Sequence, residues 1–491
     1  MGENGYLKQN PRFNIYQAEF FAWKGTIMAQ TNHKSAAELR KTVADRTATA
    51  ETGKLNAHAR MKLLFDEGTF VEVGTYLCRK RTELDVDFSD DFEPVVTGYG
   101  AIGGTLVYAF SQDYTRLSGA LGEMHAKKIA KIIEMASGSG APLVGVFDSA
   151  GAKIYEGVDA LAGYGAIMSA IAKADHITKL AVVSGPCGGS NAVIAQMFDF
   201  IIATESGSLY IAPSSVLEDK TLGTPKKLAE TGITSLTAND DADAFAYVKK
   251  LISYLYAENV SGDDPSRAVD IDGILENDNY EVRDVIAQIV DNGSFFELKA
   301  DHARHMVTGF ATVNSRPVAI IANDPAVKGG KLCPCTAEKA AEFIEFASAR
   351  DIPVLTLVDS EGVAMCDKAE QKNISKKLAK LVRSYNNSYT NVTVVLGRAF
   401  GTAYTVMASK GICRTVALAL DRAQIAPMAP ERAVEFLGEV ADESKAVETA
   451  ADWAEKFASP LEAAKSGHID DIIEASELRA RIAASLEMLT F

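Results

Sequence analysis

HAKKIAKIIEMASGSGAPLVGVFDSAG, residues 125–151, returns 211 positions later as TAEKAAEFIEFASARDIPVLTLVDSEG, residues 336–362, and the two stretches align without a gap. In each copy a helix-period stretch ending in Glu-x-Ala-Ser (134–137 and 345–348) runs into a proline (Pro142, Pro353), a short apolar strand and Asp-Ser-x-Gly. A second match follows at an offset of 212, where VSGPCGGSN (183–191) lies on VLGRAFGTA (395–403), Gly185 on Gly397 and Gly189 on Gly401. Several matches at nearly one offset read as duplication of a whole unit, and duplicated units are expected to meet around one site.

Outward from the echo, the same elements recur. Residues 68–73 and 95–110 alternate in strand fashion around Gly98, Gly100 and Gly103-Gly104, and 293–298 with 307–322 repeat that hairpin layer. Strand 181–184, helix 192–198 and strand 200–203 predict α/β layering with a largely parallel sheet. A helix is expected over 240–257, with Phe245, Val248, Ile252 and Leu255 on one face. Residues 258–272, containing SGDDPS, have linker composition, so the boundary is expected between domains 28–265 and 266–491. Residues 35–64 read as a helical lead-in broken at Gly53-Lys54, and 476–489 as a packing helix. Residues 1–27, ahead of a second candidate initiator, Met28, read as an extension without the apolar core of a secretory signal.

A chain of 491 residues exceeds one hydrophobic core, which agrees with two domains. Hydrophobic content of 47% with 23% charged residues predicts a well-filled globular interior. The net charge of −15, without a basic block, argues against nucleic acid. Six scattered cysteines suit a reducing, cytoplasmic setting, and Cys333-Pro-Cys335, the one close pair, lacks the second pair of a zinc site and reads as structural. No apolar run approaches the roughly 18 residues of a membrane span, so membrane contact is expected only through a partner.

The glycine-bearing loops at 183–191 and 395–403 each join a buried strand to a helix. Small residues there let unsatisfied N–H groups at the helix start approach a ligand and hold a developing oxyanion. The phosphate-cradle pattern GxxxxGK[ST] is absent, and no GxGxxG opens a helix in these loops. The seven histidines assemble no Ser-His-Asp triad, nucleophile elbow or HExxH. His302 and His305, beside Asp301, read as a surface turn, and His125 as a structural or capping residue. The chemistry therefore falls to backbone amides and a reactive cofactor, with no metal expected.

TGYGAIGGTLVYAFSQDYTRLSGALGEMHAKKIAKIIEMA (97–136), DSAGAKIYEGVDALAGYG (148–165) and GPCGGSN (185–191) resemble the carboxyltransferase subunits of biotin-dependent acyl-CoA carboxylases and decarboxylases. VRDVIAQIVDNGSFFELK, GRAFGTAYTVMASK and AQIAPMAPERAV extend the resemblance, which runs from about residue 53 to 489. It implies an α/β fold of two duplicated crotonase-like β-β-α superhelix domains, assembled into hexamers. It also implies that the N-terminal domain of one subunit holds acyl-CoA and the C-terminal domain of another holds biotin. By that resemblance the amides at Gly189 and Ser190 stabilise a thioester enolate, and those at Thr402 and Ala403 the ureido oxygen of biotin. Ala150, Gly151, Ala152, Lys153, Gly188, Gly401, Tyr404 and Thr405 would contact substrate, Lys153 approaching a CoA phosphate or facing solvent.

The chain departs from the family pattern at Gly189-Ser190-Asn191 and Gly401-Thr402-Ala403, where Gly-Gly-Ala is common, and at Glu361-Gly362-Val363, where the family has Pro-Gly-Phe. It lacks the Ala-Met-Lys-Met sequence that accepts biotin, so a separate carrier protein is implied. The further partner would be a biotin carboxylase or an integral membrane decarboxylase subunit, with propionyl- or methylmalonyl-CoA the expected substrate. Two other readings stand beside this one. One is a crotonase-type hydratase, although Val193 occupies the place of its acid; the other is a non-catalytic scaffold binding CoA or the carrier.

Overall fold

The computed structural model describes Ser35, Ala37, Glu38 and residues 54–80, 92–256, 263–264, 267–438 and 446–489. The expected extension 1–27, the boundary at 265/266 and much of the lead-in and linker lie outside the described residues. The chain divides into a unit of residues 1–48 and a unit of residues 49–491. In the first, Ser35 Oγ accepts the Glu38 N–H and Glu38 Oε2 accepts the Ser35 N–H, a reciprocal helix cap.

The larger unit holds two sheets of one topology. The first contains β1 (Val71–Glu72), β2 (Val95–Ile102), β3 (Thr105–Gln112), β4 (Leu143–Ser149), β5 (Lys179–Gly188), β6 (Phe200–Thr204) and β8 (Leu236–Ala238) in that order, with β7 (Ser208–Tyr210) on β5. The second repeats it with β9 (Phe296–Leu298), β10 (Met306–Val313), β11 (Arg316–Asn323), β12 (Val354–Ser360), β13 (Asn391–Phe400), β14 (Val416–Leu420) and β16 (Asp471–Ile473), β15 (Gln424–Ala426) lying on β13. Both begin with antiparallel strands and continue in parallel from the third strand onward. The β2–β3 hairpin turns at Gly103-Gly104, and its copy at Asn314-Ser315, all four at positive φ. That backbone matches the twist of a two-residue hairpin, which explains Gly and Asn at these places.

The parallel strands are buried on both faces, as their unbroken apolar runs require. The paired helices Glu123–Ser139 and Val158–Lys173 pack beside the first sheet, and Pro334–Ser348 with Ile374–Asn386 beside the second. One apolar core runs from Met61 and Val144 through Phe245, Phe310 and Phe343 to Val358, so the two sheets share an interior. Phe200, at the start of β6, meets Phe346 with ring centroids 4.5 Å apart. Arg350 joins the halves as well, donating to Thr178 Oγ1 at 2.8 Å and Asp199 Oδ2 at 3.1 Å.

Helix 192–198 is shorter than its periodicity suggested and spans Ser190–Ala195. The expected surface turn at 302–305 holds only in part. His302 is half-buried with its ring near the Glu230 carbonyl, whereas His305 is buried because the loop ahead of β10 tucks against the start of helix Pro334–Ser348.

Candidate active site

The site is assembled where β4 and β5, and again β12 and β13, leave the sheet. Each pair slips register at its end, so that Ser149 lies opposite Cys187 and Ser360 opposite Ala399. The slip brings the loop after the first strand alongside the loop that closes the second. Two buried aspartates, Asp148 and Asp359, anchor the arrangement. Asp148 is paired with Lys54 at 2.6 Å and Arg60 at 2.9 Å, and Arg60 also reaches Asp241 at 2.8 Å. Asp359 accepts from Arg398 Nε at 3.0 Å, the Arg398 N–H at 3.2 Å and Tyr280 O–H at 3.1 Å. Burial pushes Asp359 above the usual carboxylate range, and Arg398 opposes it.

The first loop is pinned by the hydroxyl of Ser149, which accepts the Gly151 N–H at 3.1 Å; Ser360 does the same for Gly362 at 3.2 Å. Leu121 then clasps the loop from both sides, donating to the Gly151 carbonyl at 2.9 Å and accepting the Lys153 N–H at 2.8 Å. Leu332 repeats this with Gly362 and Ala364. Among the described residues, the N–H groups of Ala152 and Val363, caught between those bonds, have no acceptor.

The second loop ends on a glycine that turns the chain into a short helix. Gly189 has φ 59° and ψ −128°, and Gly401 φ 58° and ψ −135°, a region closed to other residues. Their own amides are engaged, Gly189 donating to the Tyr210 carbonyl at 2.9 Å and Gly401 to Ala426 at 2.9 Å. Among the described residues, the open donors are therefore those of Ser190 and Asn191, and of Thr402 and Ala403, at the first positions of helices Ser190–Ala195 and Thr402–Val406. Asn191 is buried, with its side-chain oxygen 3.4 Å from Gln112 Nε2, and Gln112 in turn accepts the Asp148 N–H at 3.2 Å.

The remaining expected contacts divide. Ala150 is exposed with its amide on the Ser118 carbonyl, and Gly188 sits in the β5–β7 ladder against the Tyr210 ring. Thr402 and Thr405 are exposed, while Tyr404 is half-buried and lines a small cavity with Val358, Met407 and His468. Lys153 neither faces solvent nor offers a free ammonium: it is 8% exposed, with Nζ 3.0 Å from Glu156 Oε1 and 2.9 Å from the Lys80 carbonyl. Glu156 explains this, because a buried carboxylate requires a counter-charge.

Periodicity did not reveal the ion pairs behind the loops. Glu361 is bound by Arg398 at 2.8 Å and Lys331 at 2.9 Å, linking the two loops of the second copy. The repeated Asp-Ser-x-Gly was the signal for the aspartates. Among the described residues no group of three or more metal-ligating side chains is present.

Strand-end loops with open backbone N–H groups recur once in each of two like sheets, an arrangement of donors able to stabilise an oxyanion. The chain belongs to the carboxyl transferase domain family, whose model matches residues 48–490. It is 36% identical to the methylmalonyl-CoA decarboxylase alpha subunit of Propionigenium modestum over 89% of this chain and 90% of that one. To the propionyl-CoA carboxylase beta chain of Roseobacter denitrificans it is 34% identical over 89% and 91%. A crystal structure of transcarboxylase 12S, a hexamer with hydrolysed methylmalonyl-coenzyme A bound, superposes with a TM-score of 0.86 at 32% identity, covering 93% of this chain and 96% of that one. The fold is therefore that of the crotonase-like carboxyltransferases, and the protein is a carboxyltransferase. Among the described residues no helix is long and apolar enough to cross a membrane.

Proposed function

We propose that this chain is the carboxyltransferase component of a biotin-dependent acyl-CoA carboxylase or decarboxylase, acting on propionyl- or methylmalonyl-CoA. The observation that carries the reading is the duplicated set of open amides, Ala152 with Ser190 and Val363 with Thr402, in a chain of this family. The first copy, within residues 28–265, serves the thioester and the second, within 266–491, serves biotin. Biotin, on a separate carrier protein, supplies the carboxyl group and the basic ureido nitrogen.

The chain's own part is electrostatic. Ser190 and Ala152 donate to the thioester oxygen as negative charge develops at the α carbon, and Thr402 with Val363 and Ala403 donates to the ureido oxygen. The Gly189 and Gly401 turns hold these amides before substrate arrives, so little reorganisation is needed during reaction. The expected assembly is a hexamer, with a biotin carboxylase or an integral membrane subunit completing the system.

Ser190→Pro and Thr402→Pro test the assignment, because proline at a first helical position suits the helix and deletes only the N–H. With biotinylated carrier and labelled methylmalonyl-CoA, each variant is expected to lose roughly 10²–10³ in kcat while binding of acyl-CoA changes little. Wild-type protein that moves no label between methylmalonyl-CoA and the carrier would overturn the reading.

A further inference from the structure

Residues 122 and 333 hold the same place in the two copies, each just ahead of the helix that opens the repeat. In the first copy a carboxylate meets that helix start. Glu156 Oε2 accepts the Glu123 N–H at 2.6 Å, and Oε1 lies 2.4 Å from where a Cβ on Gly122 would sit. In the second copy the side chain of Cys333 takes over. Its sulfur accepts the Thr336 N–H, lies 3.7 Å from Thr336 Oγ1 and stands 3.2 Å from Nε2 of the buried His305. The fold thus places an anion at one of these equivalent positions and, at the other, a sulfur that faces the Thr336 N–H and the His305 ring.

Cys335 lies two residues further on and is also partly buried. Burial alone would raise the Cys333 thiol, but His305 and the Thr336 amide outweigh it and bring the thiol down to about 6. Cys335 moves the other way, pushed up by burial and by the neighbouring Cys333 sulfur, with Lys372 opposing and Glu338 adding to the rise. An attacking thiolate beside a thiol that keeps its proton is the arrangement of a two-cysteine oxidation site.

We propose that Cys333 and Cys335 form a thiol modification site for hydroperoxides, with Cys333 the attacking sulfur and Cys335 the resolving one. The Cys333 thiolate attacks the hydroperoxide oxygen, an S–O bond forms and the O–O bond breaks. The sulfur is oxidised by two electrons, and the departing alkoxide or hydroxide takes a proton from His305 or water. Cys335 then loses its proton and attacks the sulfenic sulfur; the S–S bond forms, the S–O bond breaks, and hydroxide leaves with that proton as water. None of these steps depends on carboxyl transfer.

Hydrogen peroxide at one equivalent, followed by peptide mapping of the full chain, tests the site. The expected product is a Cys333–Cys335 disulfide in wild type, a dimedone adduct on Cys333 in Cys335→Ser, and neither in Cys333→Ser. Serine is a favoured helix cap, so Cys333→Ser keeps the fold and removes only the sulfur. Oxidation that falls first on the exposed Cys78 and Cys366, or that leaves Cys333 unmodified, would overturn the proposal. Alkylation by iodoacetamide gives an independent measure. A thiolate of low pKa is abundant but intrinsically less nucleophilic, so Cys333 should outrun an unstructured cysteine peptide roughly tenfold at pH 6 and fall behind it at pH 9. His305→Gln should remove most of the advantage at pH 6; an unchanged rate in that variant counts against the pair.

Discussion

Asp148 fills the space in front of Gly185: its Oδ1 lies 1.9 Å from where a Cβ on that glycine would stand. Asp359 meets Gly397 in the same way, with Oδ2 at 2.3 Å. Because both carboxylates are buried and held by cations, neither can step aside without breaking an ion pair. Gly185→Ala and Gly397→Ala should each cost about 1–3 kcal/mol. The displaced loops should also lower carboxyl transfer roughly a hundredfold. Gly138→Ala is the control, since a Cβ there meets nothing and helix 123–139 should gain stability. Thermal unfolding and turnover of the three variants check this; a Gly185→Ala protein as active as Gly138→Ala would refute it.

Lys153 sits over Glu156, which also caps the helix at Glu123. Lys153→Met leaves that buried carboxylate unpaired and should destabilise by about 3–5 kcal/mol. Adding Glu156→Gln should restore part of the loss. If Lys153 instead gripped a CoA phosphate, the single variant would raise KM for acyl-CoA and leave the urea midpoint where it was.

Glu93 and His125 carry opposite pH dependences. Among the described residues neither Glu93 oxygen has a hydrogen-bond partner, and burial pushes the carboxyl up to about 7 from 4.5. Between those values the native state keeps a proton that the unfolded chain has shed, so stability falls as pH rises, by up to about 3 kcal/mol in all. His125, with Nδ1 3.9 Å from Glu93 Oε2, is pushed down to about 3 by burial and by Lys128. Here the unfolded chain binds the extra proton between about 3 and 6.5, and stability rises with pH. The two slopes oppose each other from about 4.5 to 6.5. Glu93→Gln should therefore expose the rising slope of His125 and stabilise the protein at pH 8. Denaturant midpoints from pH 4.5 to 8 that run parallel to wild type would sink the assignment.

Arg398 binds Asp359, Glu361 and the Asp278 carbonyl at 3.0, 2.8 and 3.0 Å. Arg398→Met should uncouple the two loops of the second copy and leave Asp359 uncompensated, at about 3–5 kcal/mol. Transfer to or from the carrier should fall while acyl-CoA still binds, as calorimetric titration would record. Loss of acyl-CoA affinity instead would mean that the halves do not divide the two ligands as proposed.

Much of the architecture was readable because each repeat writes its own plan. The strand is apolar from 143 to 147, the helix before it is periodic, and a proline separates them, so local pattern and global fold agree. The loops were legible for the same reason, since the glycines at 189 and 401 mark a backbone only glycine adopts. What stayed hidden was contact between distant residues. Nothing near Asp148 announces that Lys54, 94 residues away, neutralises it, and nothing near Cys333 points to His305. β7 and β15, three residues each, are too short to show a period, yet they consume the amides of Gly189 and Gly401.

The two buried aspartates are neutralised from different distances along the chain. Arg398 is only 39 residues from Asp359, and both belong to adjoining strands of one repeat. Asp148 waits for Lys54, 94 residues away, while its other cation, Arg60, is itself braced by Asp241 across 181 residues. Closing such long loops is slow, because their entropy is lost before the contacts reward it. The second repeat can thus mature as a local event, whereas the first is completed only when the beginning and end of its half have met. One architectural plan, copied twice, runs on two folding schedules.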